Sequence, residues 1–154
     1  MAVTGWFVLL VAAGAVPLVA VGEPWVLLAW LALCALLGGL DVLLAASPRT
    51  VRVERDAPAR LRLGESADAL LRLENRGRRT LHGIVRDGWP PSAQARPGRV
   101  RVAVPPGERR TVVTRLTPFR RGARHAADVT VRSIGPLRLA ARQATLRVPA
   151  TVLV

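Results

Sequence analysis

The stretch Arg99-Val100-Arg101-Val102-Ala103-Val104, followed by Pro105-Pro106-Gly107-Glu108 and then Thr111–Thr117, decides the fold class. Val100, Val102 and Val104 alternate with Arg99 and Arg101, the period of two that a half-buried strand imposes on its sequence. Pro and Gly then break the run and predict a hairpin connection into the next strand. The same pattern recurs on both sides. Val51 and Val53 alternate with Arg52 and Glu54, and Leu61 and Leu63 with Arg60 and Arg62. Leu71 and Leu73 flank Arg72 ahead of an Asn75-Arg76-Gly77 turn. Beyond the break at Pro118–Gly122, Val129 and Val131 alternate with Asp128, Thr130 and Arg132. Gly135-Pro136 precedes Leu137 and Leu139, and Leu146 and Val148 mark the last clear strand. Only residues 80–90 resist the pattern, through Leu81, Ile84 and Val85; Trp89, beside Pro90-Pro91, is placed to plug one end of the fold. Seven to nine short strands in residues 49–154, with no amphipathic helix among them, predict an all-β antiparallel sandwich of immunoglobulin/fibronectin-like type. Alternation sends the aliphatic side chains inward and Arg52, Arg60, Arg62, Arg72, Arg99, Arg101, Arg132, Arg138 and Arg147 outward.

Residues 1–48 are of another kind. They hold no Arg or Lys and two acids, Glu23 and Asp41, whereas all 23 basic residues lie in 49–154 beside eight acids, a net +15 for that part. Every basic residue is Arg; GC-rich codon usage accounts for that choice but not for the one-sided placement. Two long apolar runs, residues 3–22 and 25–46, are separated only by Gly22-Glu23-Pro24. Twenty helical residues cover about 30 Å, the thickness of a bilayer's hydrocarbon core, so the runs predict a two-helix transmembrane hairpin with a tight turn. Trp6, Trp25 and Trp30 lie towards the ends of the runs, where indoles favour the membrane interface, and Pro17 predicts a kink in the first helix. A cleaved signal peptide is disfavoured, because no basic residue precedes the first run and a second run follows at once.

The positive charges begin where the second run ends, which puts the sandwich and the N-terminus in the cytoplasm and Glu23 on the outer face. The expected location is the inner (plasma) membrane, crossed more than once. Asp41, five residues before the second run ends, is expected to reach water or headgroups at the cytoplasmic edge. Cys34 reads as a small apolar residue in mid-helix, and Gly38-Gly39 as room for close helix packing.

Little points to catalysis. His82 and His125 stand 43 residues apart without neighbouring metal ligands, and each reads as an ordinary strand or loop residue. Ser47, Ser66, Ser92 and Ser133 are the only serines, and none sits in a nucleophile elbow. The lack of Lys excludes the usual phosphate-loop lysine, and no Gly-rich phosphate loop is present. No cofactor is expected. Arg49, Arg52, Arg55, Arg60 and Arg62 follow the second helix directly and are the candidates for contact with anionic lipid or a partner. Nucleic acid is a poor fit, since the basic part offers only Trp89 and Phe119 as stacking aromatics.

Three features together resemble the N-terminal region of a bacterial family catalogued as domain of unknown function 58. These are the paired apolar runs, the segment from Leu73-Glu74-Asn75-Arg76 to Asp87-Gly88-Trp89-Pro90, and Pro118-Phe119-Arg120-Arg121-Gly122 followed by Ser133-Ile134-Gly135-Pro136-Leu137-Arg138-Leu139. The sequence departs from the family's pattern at Gly135, where Asp is common, and at Arg138, where Gly is common. The resemblance implies a partial chain, followed in the family by a von Willebrand A-like domain. It also implies a non-enzymatic, membrane-tethered adaptor that works with a MoxR-type AAA+ ATPase and other membrane proteins. The competing expectation is an exported envelope protein whose sandwich binds polymer or another envelope protein.

Overall fold

A computed structural model describes residues 2–154 of the chain. Seven strands build the sandwich: β2 (Val51–Asp56), β3 (Ala67–Asn75), β4 (Leu81–Asp87), β5 (Val100–Val104), β6 (Arg109–Leu116), β7 (Ala123–Ile134) and β8 (Ala140–Leu153). A two-residue strand, β1 (Ala2–Val3), precedes them at the start of the chain. One sheet has the order β2-β3-β6 and the other β1-β8-β7-β4-β5, with every pairing antiparallel. The expected immunoglobulin-like sandwich is therefore present, three strands facing four plus the added β1. Alternation does its predicted work: Leu71, Leu73, Leu81, Val85, Val104, Val129 and Val131 face inward and are fully buried. A second cluster of Ala69, Trp89, Ala93, Leu116, Ala126 and Val152 fills the opposite end, with Trp89 as its plug.

Three local expectations change. Leu61 and Leu63 lie in a loop after Pro58, held to the sandwich where the Leu61 amide donates to the Leu153 carbonyl at 2.9 Å. Residues 105–108 do not close a hairpin. They carry the chain from one sheet to the other, because β5 pairs with β4 while β6 pairs with β3. Buried Asn75 holds that crossing: its Nδ2 donates to the carbonyls of Arg79 (2.9 Å) and Val104 (2.8 Å), and its Oδ1 accepts from the Gly77 amide (2.9 Å). Leu137 and Leu139 sit in the turn between β7 and β8, not in a strand. The ambiguous segment 80–90 contains β4, whose inward positions are Leu81, Gly83 and Val85. Gly83 hid the alternation, and it is required there, since a Cβ would come within 2.2 Å of the Arg132 carbonyl oxygen.

The apolar runs form α1 (Gly5–Ala12), α2 (Ala15–Val21) and α3 (Pro24–Leu44). The break between α1 and α2 follows from Pro17, which has no N–H to give the Ala13 carbonyl four residues earlier. That carbonyl accepts instead from Val16 at 3.1 Å, a tighter turn that ends one helix and starts the next. Trp30 turns toward the first arm. It packs on Gly14, where a Cβ would lie 2.3 Å from its ring, and its Nε1 donates to the Leu10 carbonyl at 3.1 Å. Gly38 likewise makes room for Phe7, whereas nothing lies near Gly39. Cys34 is buried.

One helix, α3 with its continuation to Thr50, is long and apolar enough to cross a membrane, and only 17% of its most apolar stretch is covered by protein. The arm Gly5–Val21 is a shorter apolar helix. The expectation of two full-length spans is therefore corrected to one clear span with a broken arm folded along it. Trp6, Val19, Trp25, Leu28, Leu36 and Leu43 are all well exposed on this hairpin, an apolar surface far larger than isolated exposed residues provide.

Candidate functional site

The site worth building is the junction where α3 meets the sandwich. Asp41, in the last turns of α3, is completely buried. Its carboxylate enters the β7–β8 turn, where Oδ1 accepts from the Leu137 amide at 2.7 Å and Oδ2 from the amides of Leu139 and Ala140, each at 2.8 Å. A buried carboxylate with three N–H donors needs no cation, and each bond is stronger for the charge. Asp41 thus reaches neither water nor headgroups. It docks the helix onto the sheet. Gly135 is what permits this, since a Cβ there would stand 2.3 Å from the carboxylate.

Two further contacts close the junction. The Thr4 amide donates to the Leu139 carbonyl at 3.1 Å, and the Thr4 hydroxyl lies 2.5 Å from the Arg138 carbonyl oxygen and 2.8 Å from that of Leu139. β1 continues this contact as an extra strand on β8, pairing Ala2 with Ala141 and Val3 with Ala140. Arg79 Nη1 donates to the Leu43 carbonyl at 2.5 Å, placing a cation on the negative end of the α3 dipole. The connection from α3 to β2 is packed as well: Ala45, Ala46 and Pro48 are buried, and Ala46 belongs to the sandwich core.

The five predicted arginines do not form one site. Arg49 is exposed at the junction, and Arg52 is exposed nearby on β2, where its Nε lies 2.9 Å from Glu54. Arg55 is not a surface residue. Its side chain is fully buried, with Nη2 2.5 Å and Nε 3.1 Å from Asp87 Oδ1. The guanidinium also donates to the Val148 carbonyl and lies 5.4 Å from the Trp89 ring centroid, while Trp89 Nε1 donates to Asp87 Oδ2 at 2.8 Å. The backbone there is arranged to receive it, since β7 and β8 shift register between Ala126 and Asp128.

Arg60 and Arg62 are close to α3 in sequence only. Arg60 bridges to Leu153 at the end of β8, and the 14-residue strand runs from there back to the junction, a distance of about 40 Å. The arginines that do surround the junction are Arg49, Arg76, Arg78, Arg79 and Arg138 from three connections and Arg109 and Arg110 from the start of β6, all exposed. Sequence proximity missed most of them. The usable signal was the strand pairing of Val51 with Asn75 and Leu81 with Val104, which gathers those loops at one end. Glu74 sits in this cluster, and its carboxyl is held below the ordinary range by the Arg76 hydrogen bond first and then by the charges of Arg109, Arg76 and Arg52, against the opposing effect of burial.

Chemically, this arrangement can fix orientation and attract anions. His125 bonds Thr151 through Nδ1 at 2.9 Å, His82 is exposed on β4, and among the described residues no three His, Cys, Asp or Glu side chains converge as a metal site.

Neither a family model nor a curated protein sequence matches the chain. Among solved structures, an ASH/PapD-like domain of human CEP192 is similar at 14% identity and a TM-score of 0.42, over 68% of this chain and 84% of that one. The CARDB domain of the PF1109 protein from Pyrococcus furiosus, in complex with di-metal ions, aligns at 15% identity and a TM-score of 0.43, over 72% and 97%. A FixG-related protein from Vibrio parahaemolyticus aligns at 13% identity and a TM-score of 0.38, over 67% and 93%.

Proposed function

We propose that this chain is a non-enzymatic membrane adaptor: one spanning helix, with a broken apolar arm folded along it, anchors the chain in the inner membrane and holds the β-sandwich at a fixed attitude on the cytoplasmic face, where it positions partner proteins. The observation that carries the reading is the Asp41 docking contact, which fastens the spanning helix rigidly to the sheet. A domain on a flexible tether has no use for such a joint. The broken arm reinforces the joint, because Thr4, at its start, and Asp41, near the end of α3, meet the same β7–β8 turn. The arginines gathered at that end favour the cytoplasmic side. The resemblance to domain of unknown function 58 suggests a MoxR-type AAA+ ATPase as the partner class.

The test begins with sidedness. In a Cys34→Ala background, Arg62→Cys should react with a membrane-impermeant maleimide only after the cells are broken. Labelling of intact cells would move the sandwich outside and replace the adaptor with an exported envelope protein. If the sandwich is internal, the full chain solubilised from its native membrane is expected to co-purify with an AAA+ ATPase. Recovery without one removes that partner.

A further inference from the structure

A cavity of about 650 Å³ opens at the junction, between the start of α1, the end of α3 and the outer face of the four-stranded sheet. Its charged lining is of one sign. Arg101 and Arg138 face it, with His82 as a further donor, and no Asp or Glu lines it. Trp6 forms part of its wall and also borders a second groove of about 450 Å³, lined by Leu9, Leu10, Leu137 and Leu139. Arg138 borders both. A basic cavity therefore adjoins an apolar groove, with Trp6 and Arg138 on the border of both.

Arg138 carries a second, independent observation. Its φ is +59°, the left-handed region that glycine adopts freely and arginine rarely does. The turn would form more easily with glycine, so an arginine at this position carries a conformational cost.

We propose that this paired cavity binds one anionic phospholipid: its phosphate among Arg138, Arg101 and His82, and one acyl chain in the groove beside Trp6, Leu9 and Leu137. A free phosphate would leave the groove empty, and a zwitterionic lipid would bring a cation into a cavity already positive. The site rests on the membrane anchoring proposed above and makes the lipid part of the joint that sets the sandwich's attitude.

The full chain in an uncharged detergent is the material for the test, with native mass spectrometry reading bound lipid. One phosphatidylglycerol per chain should be retained, at least tenfold more firmly than phosphatidylcholine. Arg138→Gly should lose that preference while melting no lower than wild type, because it relieves the left-handed strain. Arg101→Gln should weaken binding, and Arg60→Gln, at the far end, should not. Equal retention of both lipids, an unchanged preference in Arg138→Gly, or displacement by millimolar inorganic phosphate would overturn the proposal. Carbonate extraction separates the two readings. A chain released from membranes by carbonate defeats the anchor itself, whereas one that resists carbonate but shows no arginine-dependent lipid defeats only the lipid site.

Discussion

The two ends of the sandwich each bury a charge, and they do so differently. At the junction, Asp41 is satisfied by three backbone amides and has no cation. At the far end, Arg55 and Asp87 neutralise each other, with Trp89 over one partner and bonded to the other. A carboxylate on backbone amides joins two separate structural units while asking almost nothing of the turn's side chains beyond Gly135. An ion pair inside one unit needs three particular side chains and joins nothing outside it. The first is a joint and the second a brace.

The comparison breaks most readily at the brace. Arg55→Met should leave Asp87 buried without a counter-charge and destabilise the sandwich by about 3–5 kcal/mol, seen as a large fall in the melting temperature of the detergent-solubilised chain. Adding Asp87→Leu should restore most of that stability, leaving about 1 kcal/mol for the orphaned Trp89 N–H. If the double variant is as unstable as the single, the pair is not acting as a unit.

Asp41→Asn should act at the joint alone. One amide oxygen can still serve Leu139 and Ala140, but the new NH2 then faces the Leu137 N–H. A loss of about 2 kcal/mol is expected there, about thirtyfold faster hydrogen exchange at Leu137, with Val129 and Val131 in the core unchanged. Exchange that accelerates equally in the core would mean that joint and sandwich unfold together.

Removing the helix cap with Arg79→Gln should cost less, about 0.5–1 kcal/mol, as added fraying at the Leu43 end of α3. The smallest effect concerns Glu74. Its folded pKa is depressed, so its stabilising contacts are present above the unfolded pKa and fade as pH falls through the folded one. Arg76→Ala should move the carboxyl's NMR titration upward, and an unmoved titration would assign the depression to Arg109 and Arg52 instead.

The sandwich was legible because period two survives in most strands, and the core aliphatics follow directly from it. Arg55 was legible too. Val51, Val53 and Arg55 share one strand face, so the alternation that buries the valines also buries the arginine. Asp41 was not legible. Its partners are backbone amides 96 to 99 residues away, and an amide leaves no mark in sequence. The crossing at residues 105–108 was equally hidden, because Pro-Pro-Gly-Glu suits a hairpin and a change of sheet alike. The second apolar run announced its full span by length alone, whereas the shortening of the first depended on one missing N–H at Pro17.

The long β7–β8 ribbon has a mechanical consequence. Fastened at its base to α3 and packed at its far end into the second core, it moves with the sandwich as one arm about 40 Å long. Rocking the spanning helix by about 5° sweeps the tip near Arg60 through about 3.5 Å, roughly one residue's rise along a strand. A small tilt of α3 is thereby magnified into displacement of the distal rim.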